Sequence, residues 1–224
     1  MSRQTLIPAP SESESSFASF YAGENAALLE ELRRISRGAR AVRVLYFWGD
    51  AGSGKSHLLH ACCRHARALR RPHAYWPAAG APPDAAQADP RALVCIDDFH
   101  AAAADDAWQA ALLSLYEKLR LQGGLVVAAD RPVNELQLRL KDLESRLLSG
   151  GVIRIRRLSE RDRLAALRAR ARSKGFELSD QALHFMLARH SRDTASLFSL
   201  LERIDSASLA AQRKITVPFI KSLL

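Results

Sequence analysis

One stretch constrains this chain more than any other: Gly49-Asp50-Ala51-Gly52-Ser53-Gly54-Lys55-Ser56. It lies between an apolar, aromatic run at 42–48 and a helical pattern that begins at His57. A glycine-rich turn between a buried strand and a helix N-terminus aims several backbone N–H groups at one place. The helix dipole adds partial positive charge there. Phosphate oxygens are the natural occupant. Gly49, Gly52 and Gly54 permit backbone angles and close approach that a β-carbon would forbid. Lys55 is placed to reach the β- and γ-phosphates of a nucleotide, and the Ser56 hydroxyl to sit on Mg²⁺. Asp50, Ala51, Ser53 and His57 complete the candidate nucleotide-binding set. The alternative is a glycine-rich turn without a ligand.

The 224 residues, 48% of them hydrophobic, suffice for one α/β domain and a smaller second one. No apolar run approaches the roughly 20 residues of a membrane span, and Met1-Ser2-Arg3-Gln4-Thr5 has no signal-peptide core. The expectation is a cytoplasmic protein without a membrane role. Cys62, Cys63 and Cys95 lack metal-ligand spacing and read as core residues of a reducing compartment. The net charge is +9, and residues 151–175 carry nine Lys/Arg against Glu160 and Asp162. That block faces nucleic acid or an acidic partner, or is the solvated face of an Arg-rich helix.

Residues 1–16 read as an extended tail: Pro8, Pro10 and a Ser/Glu alternation give no burying pattern. From Phe17 the pattern changes to a helix through Leu28, Leu29, Leu32 and Ile35. Strands are expected at 42–48, 73–76, 93–96, 125–129 and 152–155, with helices between them. Pro- and Ala-rich residues 77–83 read as a loop. Asp105 and Asp106 open a helix whose apolar face is Trp108, Leu112, Leu115, Tyr116 and Leu119. After Arg157 the alternation stops. Helical patterns follow at 161–174, 180–190, 194–213 and 218–224, with Ser179 and Thr216 as N-caps. The fold class is therefore α/β, a parallel-sheet nucleotide-binding domain at 17–157 followed by a small all-α domain at 158–224.

A second motif supports the first. Asp97 ends the apolar stretch Leu93-Val94-Cys95-Ile96, a position that holds Mg²⁺ in nucleotide-hydrolysing folds. Asp98 beside it is a candidate to orient an attacking water, on a shorter side chain than the usual glutamate.

The order of phosphate loop, Asp-Asp strand end, Asp130 closing the next strand, Arg146 before the final strand and a helical lid resembles that of the AAA+ ATPases. In detail, Gly52-Ser53-Gly54-Lys55-Ser56-His57-Leu58-Leu59-His60-Ala61, Val94-Cys95-Ile96-Asp97-Asp98, Asp130-Arg131-Pro132, Asp142-Leu143-Glu144-Ser145-Arg146-Leu147 and Ala211-Gln212-Arg213-Lys214-Ile215-Thr216-Val217-Pro218-Phe219 resemble the DnaA regulatory inactivator family, Hda. The resemblance covers nearly the whole chain. It implies a negative regulator of chromosomal replication initiation that binds ADP or ATP with Mg²⁺. Such a protein docks on the DNA polymerase sliding clamp and promotes ATP hydrolysis by the replication initiator. It implies clamp contact through Gln4, Leu6, Ile7 and Pro8, with Thr5 at a position that is apolar in the family. Arg146 falls on the arginine-finger position, acting across a subunit interface; otherwise it is a surface salt bridge. Ala195 replaces the family's nucleotide-sensing Arg of the lid, and Arg192, one turn earlier, is a candidate substitute. Segment 77–90 departs from the family's aromatic character.

Three readings compete. The first is the adaptor just described, binding DNA only indirectly or non-specifically, with a homodimer left open. The second is an autonomous AAA+ ATPase or helicase-loader-like replication factor, which Lys55 and Asp97 permit and Ala195 and Asp98 disfavour. The third, a DNA-binding initiator, needs a helix-turn-helix module, and the sequence in hand ends at Leu224. Whether the chain turns over ATP itself stays open.

Overall fold

A computed structural model describes residues 15–38, 44–189, 194–211 and 215–223. The chain divides into two compact units: 1–50 with 55–156, and 51–54 with 157–224.

The first unit is built on a five-stranded parallel sheet. Its strands are β1 (Val44–Trp48), β2 (His73–Pro77), β3 (Leu93–Asp97), β4 (Gly124–Ala129) and β5 (Gly151–Arg154), in the spatial order β2-β3-β4-β1-β5. The strands read as continuous apolar runs because both faces are covered. On one face Leu45, Phe47, Cys95, Val126 and Ala128 meet α1 (Ala26–Arg37) and α2 (Lys55–Ala68). On the other, Tyr46, Val94, Ile96, Leu125 and Val127 meet α3 (Asp106–Leu119) and α4 (Lys141–Ser149). All three cysteines are free and buried on the first face. Contacts from Cys62 and Cys63, added to burial, hold the Cys95 thiol well above its ordinary range.

Local chemistry sets the element ends. The Asp105 carboxylate caps α3 by accepting from the N–H of Ala107 at 2.8 Å. Gly38, in the left-handed region at φ 82°, closes α1. Buried Asn25 pairs both ways with the backbone of Arg156: its Nδ2 donates to the carbonyl (3.0 Å) and its Oδ1 accepts from the N–H (2.7 Å). The start of α1 is thereby pinned to the chain leaving β5. Segment 77–90 is an ordered cover on α3. A 3₁₀ turn at Ala85–Gln87 is capped by Asp84, the Lys118 ammonium donates to the carbonyls of Ala85 and Ala86, and the Trp108 indole donates to that of Gly80.

Among the described residues, four helices form the second unit: α5 (Glu160–Ser173), α6 (Asp180–Arg189), α7 (Thr194–Ala211) and α8 (Val217–Lys221). Leu167, Leu183, Met186, Leu197, Leu201, Ile204 and Ile220 make its core. Ser179 accepts from the N–H of Ala182 (3.2 Å) and Thr216 from that of Phe219 (3.4 Å), as the sequence led us to expect. His190, Arg213 and Leu224 lie outside the described residues. No helix among the described residues is long and apolar enough to cross a membrane.

A carboxylate lock ties α5 to α7. Glu202 Oε1 accepts from Arg170 Nε (3.0 Å) and Nη2 (2.9 Å), and Lys174 Nζ reaches both Glu202 and Asp205. Burial works to raise the Glu202 pKa, but Lys174 and Arg170 outweigh it and hold the group below the usual carboxylate range. A depressed folded-state pKa gives stability that is present above the unfolded value, about 4.3, and is lost as pH falls through the folded one. We expect thermal melts of the helical signal to drop as pH falls below about 4. Glu202→Gln should lower the melting temperature at neutral pH and flatten that acid-side slope. An unchanged slope in Glu202→Gln would place the acid sensitivity elsewhere.

Candidate functional site

Strand order gathers the sequence-derived candidates. β3, β4 and β1 are neighbours, so the residues leaving their C-terminal ends (Asp97, Asp130 and the loop from Gly49) fall side by side, where open α/β sheets bind ligands. Gly49 continues β1 by donating its N–H to the carbonyl of Ala129 at 3.2 Å. Its lack of a side chain serves packing: a β-carbon would lie 2.6 Å from both Cγ2 and the carbonyl oxygen of Ile155. Gly52 (φ 74°) and Gly54 (φ 97°) serve conformation, since both are left-handed. Asp50, Ala51 and Ser53 complete the loop, and Ser53 Oγ is buried without a hydrogen-bond partner among the described residues.

Lys55 opens α2 and is only 7% exposed. Its ammonium donates to the carbonyls of Gly49 (2.9 Å) and Asp50 (3.2 Å), so it is folded back along the loop. Ser56 beside it is exposed. The His57 imidazole turns away to the N-terminal segment, where Nε2 meets the Ser16 carbonyl (3.1 Å) and Ser19 Oγ (3.4 Å) and the ring lies 5.7 Å from that of Phe20. Only the backbone of His57 therefore remains a phosphate-loop group. Ser15 and Ser16, extended tail by composition, are packed: Ser15 is buried and Ser16 exchanges hydrogen bonds with Ser19.

Asp97 is 3% exposed. Its Oδ2 accepts from the Tyr75 hydroxyl (2.7 Å) and its Oδ1 from the N–H of Asp98 (2.9 Å). Tyr75 was not legible as a site residue, because its position on β2 reads as ordinary strand. The Asp98 backbone is left-handed (φ 51°) and its side chain 56% exposed. Burial, then the charge of Asp97, pushes the Asp98 carboxyl above its ordinary pKa. His100 is a second residue that sequence reasoning missed. It lies between Asp98 (Nδ1 to Oδ1, 4.0 Å) and Asp130 (Nε2 to Oδ2, 3.7 Å). A bidentate pair with Arg131 (2.7 and 3.0 Å) holds the Asp130 carboxyl below its usual range.

Other candidates lie apart or cannot be placed. Arg146, on α4, pairs with Asp142 (3.3 Å) and Glu117 (3.8 Å) and lies over the Tyr116 ring (5.4 Å). It has no contact with the Lys55, Asp97 and Asp130 group among the described residues. Gln4, Leu6, Ile7, Pro8 and Arg192 lie outside the described residues, and Ala195 falls in the first turn of α7. At least seven of the nine cations of the 151–175 block, Arg163 among them, have partners within the chain. Arg154 lies over Trp48 and Arg156 pairs with Glu24. Arg157 donates to the Ala51 carbonyl and Arg168 pairs with Asp180, while Arg170 and Lys174 hold Glu202.

Residues 160–224 match the family model described as "Hda, lid domain". Over the rest of the chain the likeness is structural. Domain III of the Thermotoga maritima replication initiation protein DnaA superposes with a TM-score of 0.75 at 17% identity, covering 98% of this chain and 97% of that one. The chain is Hda-like: an Hda lid on the AAA+ fold of DnaA. A DNA replication initiation factor gives 0.70 at 19% identity, covering 86% of this chain and 64% of that one. AMPPCP-bound DnaA from Aquifex aeolicus gives 0.72 at 19%, covering 85% and 65%. The Hda-like chain thus spans just under two thirds of those two relatives.

The Tyr75 hydroxyl makes a direct prediction. Burial first, then the Asp97 charge and the hydrogen bond to it, push its pKa far above the ordinary tyrosine value. At about pH 11 an ordinary tyrosine, with a pKa near 10, is ionised. Tyr75→Phe should therefore leave the tyrosinate absorbance of the folded protein at that pH unchanged. It should also cost about 1–3 kcal/mol in denaturant unfolding, because a buried carboxylate loses a donor. A Tyr75→Phe variant that loses tyrosinate absorbance would show that the hydroxyl is free to ionise.

Proposed function

We propose that this Hda-like chain is a negative regulator of replication initiation. In this reading it holds ADP or ATP at its phosphate loop and promotes hydrolysis of ATP bound to a DnaA-type initiator. One observation carries the reading: an Hda lid at 160–224 accompanies Lys55, Asp97 and Asp130 at three adjacent strand ends.

The residues fit an adenine nucleotide. Lys55 has an ammonium held at the loop by two carbonyls among the described residues, and can exchange them for charge-assisted bonds to phosphate. Gly52 and Gly54 free the loop backbone to turn its N–H groups inward. The AMPPCP in the Aquifex aeolicus DnaA structure is such a nucleotide analogue. The oxygen donors also fit Mg²⁺, a hard cation that keeps most of its waters. Buried Asp97, oriented by Tyr75, would hold it through water, and Ser56 would offer a hydroxyl. When bound, the ion neutralises phosphate charge.

The finer parts of the proposal concern partners. Gln4, Leu6, Ile7 and Pro8 dock on the DNA polymerase sliding clamp. Arg146 reaches the initiator's nucleotide in trans. Its own contacts are no obstacle, since the side chain is 41% exposed and its ion pairs are of the surface kind, worth about 0–1 kcal/mol each. A guanidinium free to leave such pairs can stabilise charge on a transferring phosphoryl group.

Single-turnover hydrolysis of ATP preloaded on a DnaA-type initiator, with clamp-loaded DNA and excess of this chain, tests the proposal. Arg146→Ala should keep nucleotide and clamp binding yet lose stimulation by about 10³-fold or more. Arg146→Lys should not restore it, for want of the planar fork. Lys55→Ala should lose nucleotide affinity instead. Full stimulation by Arg146→Ala would remove the finger, and turnover of ATP by this chain alone would favour the autonomous ATPase.

A further inference from the structure

Between Lys55 and Pro83 the sequence has no acidic residue. The fold sets the arginines of that stretch beside those of α1. Arg33, Arg34 and Arg37 lie in the last turns of α1, and Arg64, Arg67, Arg70 and Arg71 at the end of α2. Arg71 fastens the two ends together. Its Nη1 donates to the carbonyls of Ile35 and Ser36 at the C-terminus of α1, and its Nε to that of Arg91 ahead of β3 (3.0 Å). The charges of Arg37 and Arg33 also act on His65 of α2, adding to burial in holding its imidazole below the usual range.

The acids of this face are few and already engaged: Glu30 with Arg33, Glu31 with Arg34, and Asp89 with Arg91. Arg37, Arg67 and Arg70 are exposed, and their side chains have no hydrogen-bond, ion-pair or ring partner among the described residues. One cation at a helix C-terminus is explained by the dipole. Seven on two adjoining ends are more than that explanation needs.

Arg70 supplies an independent sign. It closes α2 in the left-handed region (φ 55°), with its N–H donating to the Arg67 carbonyl and that of Arg71 to the Ala66 carbonyl. Glycine is the usual residue there. An arginine is strained there by its β-carbon, so the charge sits against local conformational preference.

We propose that this arginine face binds the phosphate backbone of duplex DNA without reading its sequence. Guanidinium forks suit phosphate oxygens. A single strand would call for exposed aromatic side chains to stack on, yet the exposed large apolar residues among the described ones are aliphatic, with Leu69 the one at this end of α2. A protein partner would call for an apolar or aromatic anchor open at the centre of the contact; among the described residues the face offers Leu69 and a half-buried Phe17 that Arg33 and His65 already cover. The proposal is independent of the nucleotide site and of the initiator, so its failure would leave both readings standing.

The test is fluorescence anisotropy of the full chain with a labelled duplex of about 30 base pairs, across about 50–200 mM salt. The expected result is affinity that falls steeply with salt. In Arg37→Gln/Arg67→Gln/Arg70→Gln the log–log salt slope should shrink by about three, one for each lost phosphate contact. Arg70→Gly should keep or raise the melting temperature and still weaken binding severalfold, which separates charge from folding. Arg168→Gln/Arg172→Gln, in the lid, should bind like the parent. The proposal is overturned if the triple variant keeps the parent affinity and slope, or if parent binding is insensitive to salt. It is also overturned if a polyglutamate peptide binds the same three arginines as tightly as the duplex, making this a face for an acidic protein.

Discussion

A buried carboxylate is the constraint around which the first unit is arranged. Asp97 is all but inaccessible, and an ionised carboxylate in that position is tolerable only when its oxygens are occupied. One takes the hydroxyl of Tyr75 across the β2–β3 pair, and the other takes the N–H of Asp98. The second contact goes with a left-handed backbone at Asp98, which turns the chain into the 3₁₀ turn at Phe99–Ala101 and brings His100 between two further carboxylates. The parallel register of β3, β4 and β1 then sets this group beside the loop that carries Lys55.

Much of this was legible in the sequence, and the legible parts share a cause. Strand, glycine-rich turn and helix follow one another at fixed spacing, so the loop from Gly49 to Ser56 could be read locally. The apolar runs 93–96 of β3 and 125–129 of β4 announced a sheet covered on both faces. The caps at Ser179 and Thr216 depend on neighbours three residues away. What escaped depends on contacts across the chain. Tyr75 meets Asp97 only because β2 lies beside β3 in register. Asn25 meets Arg156 across 131 positions. The tilt of His57 toward residues 16–20 removes its ring from the candidate site although its place in the motif is unchanged.

Charge shows the same division. By composition the densest basic block was 151–175, yet the fold gives at least seven of its nine cations partners within the chain. Among the described residues, Arg37, Arg67 and Arg70, whose side chains have no partner, belong to two helix ends far apart in sequence that the fold sets side by side. A count of charges locates composition; ion pairing decides which charges a partner can meet. Arg146 belongs between these cases, since its partners are half-exposed and weak.

The central claim is that the ends of β1 and β3 form one nucleotide site. Hydrogen–deuterium exchange on the full chain, with and without ADP and Mg²⁺, tests it most directly. The account predicts added protection confined to the loop and first turn of α2, residues 49–58, and to the end of β3 around Asp97 and Asp98. Protection that spares both segments, or none at saturating nucleotide, would contradict it.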